Sequence, residues 1–315
     1  MLVVAGAHSI DSLLVEYFRM KILNIVLDSK NHTSKIVTSL KPLILGEENV
    51  SINLKTSKYN NLMQAILLVS AVNNARANGY QVEINCESIN EYLQRINFYT
   101  ELGIDIEEKF KRHNRKESLL EICNVNDKNS IQVVDGIMRI LQKSTSLDQN
   151  VLSCLNYCFW EMIDNIQEHA KSKIGGYVVV QNYPKKNNLE IDLVDTGRGI
   201  RASLSENAKF ADISEAEALQ ESIKEGMTRG TGRGNGLFHT TNFVKENDGT
   251  FWMHSGNHML EVVKGRVKTF EVPFWDGTAI HLRVKTNNDV LLENIFGDEK
   301  PITVEEYNES INGLW

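Results

Sequence analysis

Along the chain the spacing of apolar residues changes from every second position to every third or fourth, and these changes outline the elements. VSINLK, residues 50–55, places apolar side chains at alternate positions and predicts a strand. YNNLMQAILLVSAVNNARANGY, residues 59–80, places them at 62, 63, 66, 67, 68, 71 and 72, the spacing of a helix. QVEINC predicts a second strand, and SINEYLQRINFYTELGI a second helix with Ser88 as its cap. This alternation predicts a small α/β unit over roughly residues 22–105. The charged run EEKFKRHNRKE, residues 107–117, reads as an exposed connection.

A second unit begins near LLEICNV, read as a bridging strand from Leu119, and IQVVDGIMRILQK, an amphipathic helix from Ile131. Over residues 149–170 the apolar positions 152, 155, 159, 162, 163 and 166 predict a core-facing helical stripe. The stretch FWEMIDNIQEHA lies within it, and its Glu161 and Asn165 are four apart, about 40° around a helix axis, so they project together. Such a pair fits either a solvated helix face or a shared ligand site. A carboxylate can orient and deprotonate water, and an Asn oxygen is a hard ligand suited to Mg²⁺ beside phosphates.

GYVVVQNY and NLEIDLVDTGRGI read as a hairpin around PKKNN, the second strand ending at Asp195. Gly197 and Gly199 just beyond it allow a tight turn and close approach of backbone to a flat ligand. The Asp195 carboxylate could accept from an exocyclic amine such as that of adenine. In MTRGTGRGNGLFHTTNFVKEN, Gly230, Gly232, Gly234 and Gly236 alternate before a helix predicted to start near Leu237. Clustered N–H groups at a helix start suit phosphates. No Lys follows the glycines as in a P-loop, and no βαβ unit surrounds them as in a dinucleotide fingerprint. TFWMHSG and TAIHLRV read as further strands of the same sheet, with Asp276, Gly277 and Thr278 at the turn into the latter.

These motifs, in this order, resemble those of the GHKL or Bergerat-fold ATPases, the superfamily that includes the ATPase subunit of gyrase, heat-shock chaperone ATPases, histidine kinases and sigma-factor-regulating serine kinases. EMIDN is similar to the N-box, DTGRGI to the first glycine box, GRGNGL to the second, and Gly277-Thr278 to the last threonine motif. The likeness covers roughly residues 130–286. It implies an α+β fold in which a Bergerat sandwich, a mixed sheet with helices on one face, occupies residues 119–288. A smaller α/β domain, residues 1–118, precedes it and resembles STAS-like domains; residues 289–315 form an extension with a short docking helix.

The resemblance implies ATP and Mg²⁺ as ligands. Glu161 would be the catalytic carboxylate that orients water and Asn165 the metal ligand. Asp195 would bind the adenine amino group, with Thr278 joining through water and Gly197 and Gly199 admitting the base. Gly232, Gly234 and Gly236 would wrap the phosphates beside Asn235 and Leu237, and Arg198, Arg229 and Arg233 are candidate phosphate contacts. His169 receives no catalytic role. Residues 201–231 would form a lid whose closure creates a surface for a partner.

Composition narrows the functions. The 315 residues are 42% hydrophobic and 24% charged, ordinary for a globular protein. A net charge of -7 offers no broad attraction for nucleic acid or an anionic membrane. The N-terminus has no basic n-region before its apolar residues, and the expectation is a cytoplasmic protein without a signal peptide. Cys86, Cys123, Cys154 and Cys158 form no CxxC pair and read as reduced and structural. The function implied is a regulatory ATPase with Mg²⁺-dependent hydrolysis coupled to lid closure and to a protein partner or homodimer. A serine kinase acting on a partner protein and a non-hydrolysing nucleotide sensor are the alternatives. A histidine autokinase would need a long two-helix dimerisation element, for which residues 119–150 are too short.

Overall fold

The computed structural model describes residues 20–29, 32–46, 48–57, 61–126, 128–226 and 235–296. β1 (Lys21–Leu27), α1 (Thr33–Leu45), β2 (Val50–Thr56), α2 (Leu62–Ala77) and β3 (Val82–Cys86) make a three-stranded parallel sheet in the order β1-β2-β3. Successive right-handed crossovers in one direction place both helices on the same face. Ile25, Leu27, Val50, Ile52 and Leu54 point to that face and are buried. On the opposite face Asn53 donates to Asn24 at 3.1 Å across neighbouring strands.

α2 starts later than expected, because the side chain of Asn61 caps it by accepting from Gln64 N. The expected helix from Ser88 is two short ones, α3 (Glu91–Arg95) and α4 (Phe98–Glu101). The cap is Asn90, not Ser88, its side chain accepting from Leu93 N at 3.0 Å. Asn97, at φ 64°, takes a left-handed conformation that separates the two helices.

The chain continues through β4 (Leu119–Val125), α5 (Ser130–Ser144), α6 (Gln149–Asp164), β5 (Gly176–Tyr183) and β6 (Asn188–Asp195). There follow α7 (Gly199–Leu204), α8 (Glu215–Ser222), α9 (Gly236–Glu246), β7 (Thr250–Val263), β8 (Arg266–Lys285) and α10 (Leu292–Phe296). The five strands form a second sheet in the order β4-β5-β6-β8-β7, each neighbour antiparallel. The class is therefore α+β, but this sheet is antiparallel throughout rather than mixed, and it is covered on both faces rather than one as expected. β7 and β8 reach beyond the expected strands and join near Lys264 and Gly265. Asp276–Thr278 accordingly lie inside β8 rather than at a turn into it, with an irregularity in the pairing nearby.

Both faces of the second sheet are covered. Val178, Val180, Ile191, Leu193 and Leu282 share one hydrophobic cluster with α5, α6 and α9. Tyr177, Val179, Val194 and Ala279, at the alternate positions, share the other cluster with α1, α2 and the parallel sheet. α2 thus lies between two sheets, which explains why apolar residues surround it: Leu62 to Ala71 are all buried. The layers run parallel sheet, helices, antiparallel sheet, helices. α10 docks on α9, where Asn242 donates to the Ile295 carbonyl at 3.2 Å. Among the described residues no helix is long and apolar enough to cross a membrane.

Candidate functional site

Glu161 and Asn165 sit at the end of α6, held down on the sheet by Met162, Ile163 and Ile166, which are buried. After Asp164 the chain makes one π turn, Asn165–His169, closed by Ala170 N on the Asn165 carbonyl at 2.9 Å. Wider turns of this kind redirect the residues that follow a helix. Here the turn presents the Ala170 carbonyl to Arg198 N at 2.8 Å. A Cβ on Gly197 would lie 2.1 Å from that same oxygen, so only a glycine fits where the two segments meet.

Asp195 ends β6 in phase with Ile191 and Leu193, which turns its carboxyl to the α6 side of the sheet. It accepts from Gly197 N at 2.8 Å and from the backbone N–H and hydroxyl of Thr278. Burial pushes its pKa up to about 7 against the pull of those donors, and the neighbouring Asp276 carboxylate pushes the same way. Trp275 Nε1 donates to the Asp195 carbonyl at 3.1 Å. Gly277, at φ 97°, lets β8 pass this corner, since a Cβ there would lie 2.4 Å from that carbonyl oxygen.

These elements enclose an open cleft of about 510 Å³. Asn165, Asp195, Gly199, Leu237 and Thr278, all singled out in the sequence, line it together. Met162, Ile166, Ile200 and Ile280 supply apolar walls. A cleft with apolar walls, a buried carboxyl and an exposed carboxamide among its lining groups can take a heterocycle with a polar extension.

Glu161 lies one turn before Asn165, against the start of α9. A Cβ on Gly236 would come within 2.4 Å of the Glu161 Cβ, so the glycine lets the helix start approach the carboxylate-bearing turn. Burial raises the pKa of the Glu161 carboxyl, while the hydroxyl of Tyr157, one turn earlier, acts to lower it. A carboxylate in such surroundings is a stronger base than one in water. Asn235, at the cap position of α9, accepts from Gly226 N at 2.6 Å through its side chain. The two residues flanking 227–234 are thereby tied together. Arg229, Gly230, Gly232, Arg233 and Gly234 lie outside the described residues, with the last part of the expected lid, as do the side chains of Glu168 and His169.

Arg198 is directed elsewhere. Its guanidinium pairs with Glu206, one contact being Nη2 to Oε2 at 3.3 Å. Other contributors were not singled out in the sequence. Tyr157 could have been, being four residues before Glu161 on the same helix face. Ala170, Ser255 and Trp275 act through backbone contacts or across long sequence separations, which no local pattern reports. Among the described residues no group of three His, Cys, Asp or Glu side chains could hold a metal ion by itself.

No family model, curated protein or solved structure matches the chain.

Proposed function

We propose that residues 119–288 form an ATP-binding unit of the GHKL type, with a Bergerat-like arrangement of sheet and helices, and that it hydrolyses ATP as a regulatory switch. The observation that carries this reading is the convergence of Asp195, Thr278, Asn165 and Leu237, distant in sequence, on one cleft. The adenine would occupy the apolar slot, its amino group donating to Asp195. The triphosphate would run past Asn165 towards the start of α9, where the N–H groups of a helix start and its dipole favour negative charge.

Mg²⁺ would be held here by the Asn165 oxygen together with the phosphates, a mode of binding that needs no carboxylate cage. When bound it supplies charge neutralisation on the phosphate oxygens. Glu161 would take a proton from the attacking water, its basicity raised by burial and its position held by Tyr157. Arg198, paired with Glu206, would stay outside the phosphate contacts. A protein partner or second copy would read the nucleotide state through residues 201–231.

The test is Mg²⁺-dependent ATP turnover by the full chain, with Glu161→Ala alongside and ATP binding measured in both. Turnover should fall about 10²–10⁴-fold in the variant while binding survives. Absence of ATP binding by the wild type would sink the reading. Binding without turnover would favour phosphate transfer to a partner or a pure sensor.

A further inference from the structure

A second cavity, of about 430 Å³, lies beyond the Gly199–Ile200 segment, which walls both cavities. Ser255 fixes that wall, its Oγ accepting from Ile200 N at 3.0 Å and donating to the Gly277 carbonyl at 2.7 Å. α7 and α8 close one side of the space and Phe274–Gly277 of β8 the other.

Four charged side chains line it, and two are already matched. Arg198 pairs with Glu206. Glu215 accepts from Asn257 N at 2.8 Å and faces His258 Nδ1 at 3.1 Å. The half-buried Asp276 carboxyl has no hydrogen bond or ion pair among the described residues. Arg201 donates through Nε to the Ile213 carbonyl at 2.8 Å, and its terminal nitrogens have no partner among the described residues. The half-buried Asp276 carboxylate and the solvent-exposed Arg201 guanidinium, neither ion-paired among the described residues, therefore line one cavity whose remaining side chains include Ile200 and Phe274. A partly desolvated carboxylate without a partner is costly, and a bound cation offsets that cost. Burial accordingly holds the Asp276 carboxyl above the usual carboxylate range.

We propose that this cavity binds a small zwitterion of the amino-acid class, its ammonium on Asp276, its carboxylate on Arg201 and its apolar side chain against Ile200 and Phe274. The test of this site does not depend on ATP or on what the neighbouring cleft holds.

The experiment is calorimetric titration of the full chain with L-leucine and L-phenylalanine, with glycine as the probe lacking an apolar side chain. Saturable binding of L-leucine or L-phenylalanine at millimolar Kd or tighter is expected, with glycine at least about tenfold weaker. Asp276→Asn, close in shape, and Ala202→Trp, which fills the cavity from the exposed side of α7, should each weaken binding at least about tenfold. Thermal melts check that both variants are folded. If Asp276→Asn does not fold, Ala202→Trp decides. Absence of saturable heat from both apolar probes, or undiminished binding in a folded Ala202→Trp variant, overturns the proposal.

Discussion

The two faces of the five-stranded sheet are both buried, but by helices of opposite character. On one side α6 has an apolar stripe and a polar end, and the groups lining the 510 Å³ cleft gather there, Asn165 beside Asp195 and Thr278. On the other side α2 is buried around its circumference from Leu62 to Ala71, Gln64 and Ser70 included, pressed between two sheets with Ile66, Leu67 and Leu68 in succession all fully buried. One face thus carries the open cleft and is the working face on the proposed reading, and the other is a support. Substitutions on the support should change stability and leave ligand affinity alone. Those on the working face should do the reverse.

The heaviest loss should come on the support. Leu67→Ala should cost about 2–5 kcal/mol, because a side chain packed between two sheets leaves a cavity that cannot collapse. Denaturant unfolding measures this loss, and ATP affinity of the folded variant should stay within about threefold of wild type. A large affinity change at this site would end the distinction between the faces.

On the working face, Gly277→Ala forces a left-handed backbone on a residue with a Cβ, at a strain of about 1–3 kcal/mol, and drives that Cβ into the Asp195 carbonyl. ATP affinity should fall at least about tenfold, which equilibrium titration would show. Retained affinity would mean that the Asp195 corner does not position the base.

Much of this corner was legible in the sequence. DTGRGI and EMIDN located Asp195 at a strand end and put Glu161 and Asn165 together on one helix face, since period and turn chemistry are local properties; the end of that helix at Asp164, short of the expected 170, was not read. The length of β7 and β8 was not legible, because the positive φ of Gly277 and the pairing irregularity beside it interrupt the alternation midway. The burial of α2 on all sides was not read from its apolar spacing, because its cause, packing against β5 and β6 of the second sheet far along the chain, has no local signature. The separation of Arg198 from the cleft was equally hidden, as it depends on Glu206 closing back upon it.

A milder change should appear with pH. The folded pKa of Asp195 is raised to about 7, above the ordinary carboxylate value, so its contribution to stability is fully present in acid and is lost as pH rises through about 7. On the proposed reading nucleotide binding would run the other way, because an adenine amino group would need the ionised acceptor. ATP affinity should therefore weaken about tenfold for each pH unit below about 7, while the unfolding free energy does not follow it. Parallel titrations and melts between about pH 5.5 and 8 separate the two, and a flat affinity profile would remove Asp195 from base recognition. The weakest perturbation belongs to the partly exposed pair Arg283 and Glu190, 3.0 Å apart on the support side. Arg283→Ala should cost about 0.2–1 kcal/mol in denaturant unfolding and leave ATP affinity unchanged.

Because α2 is shared by two sheets, its position also governs how the chain comes apart. Removing the first three strands and their helices would leave Tyr177, Val179, Val194 and Ala279 facing water, a greasy panel prone to self-association. The boundary suggested by the carboxylate and glycine motifs is thus one of chemistry, while melting should treat both halves as a single cooperative body.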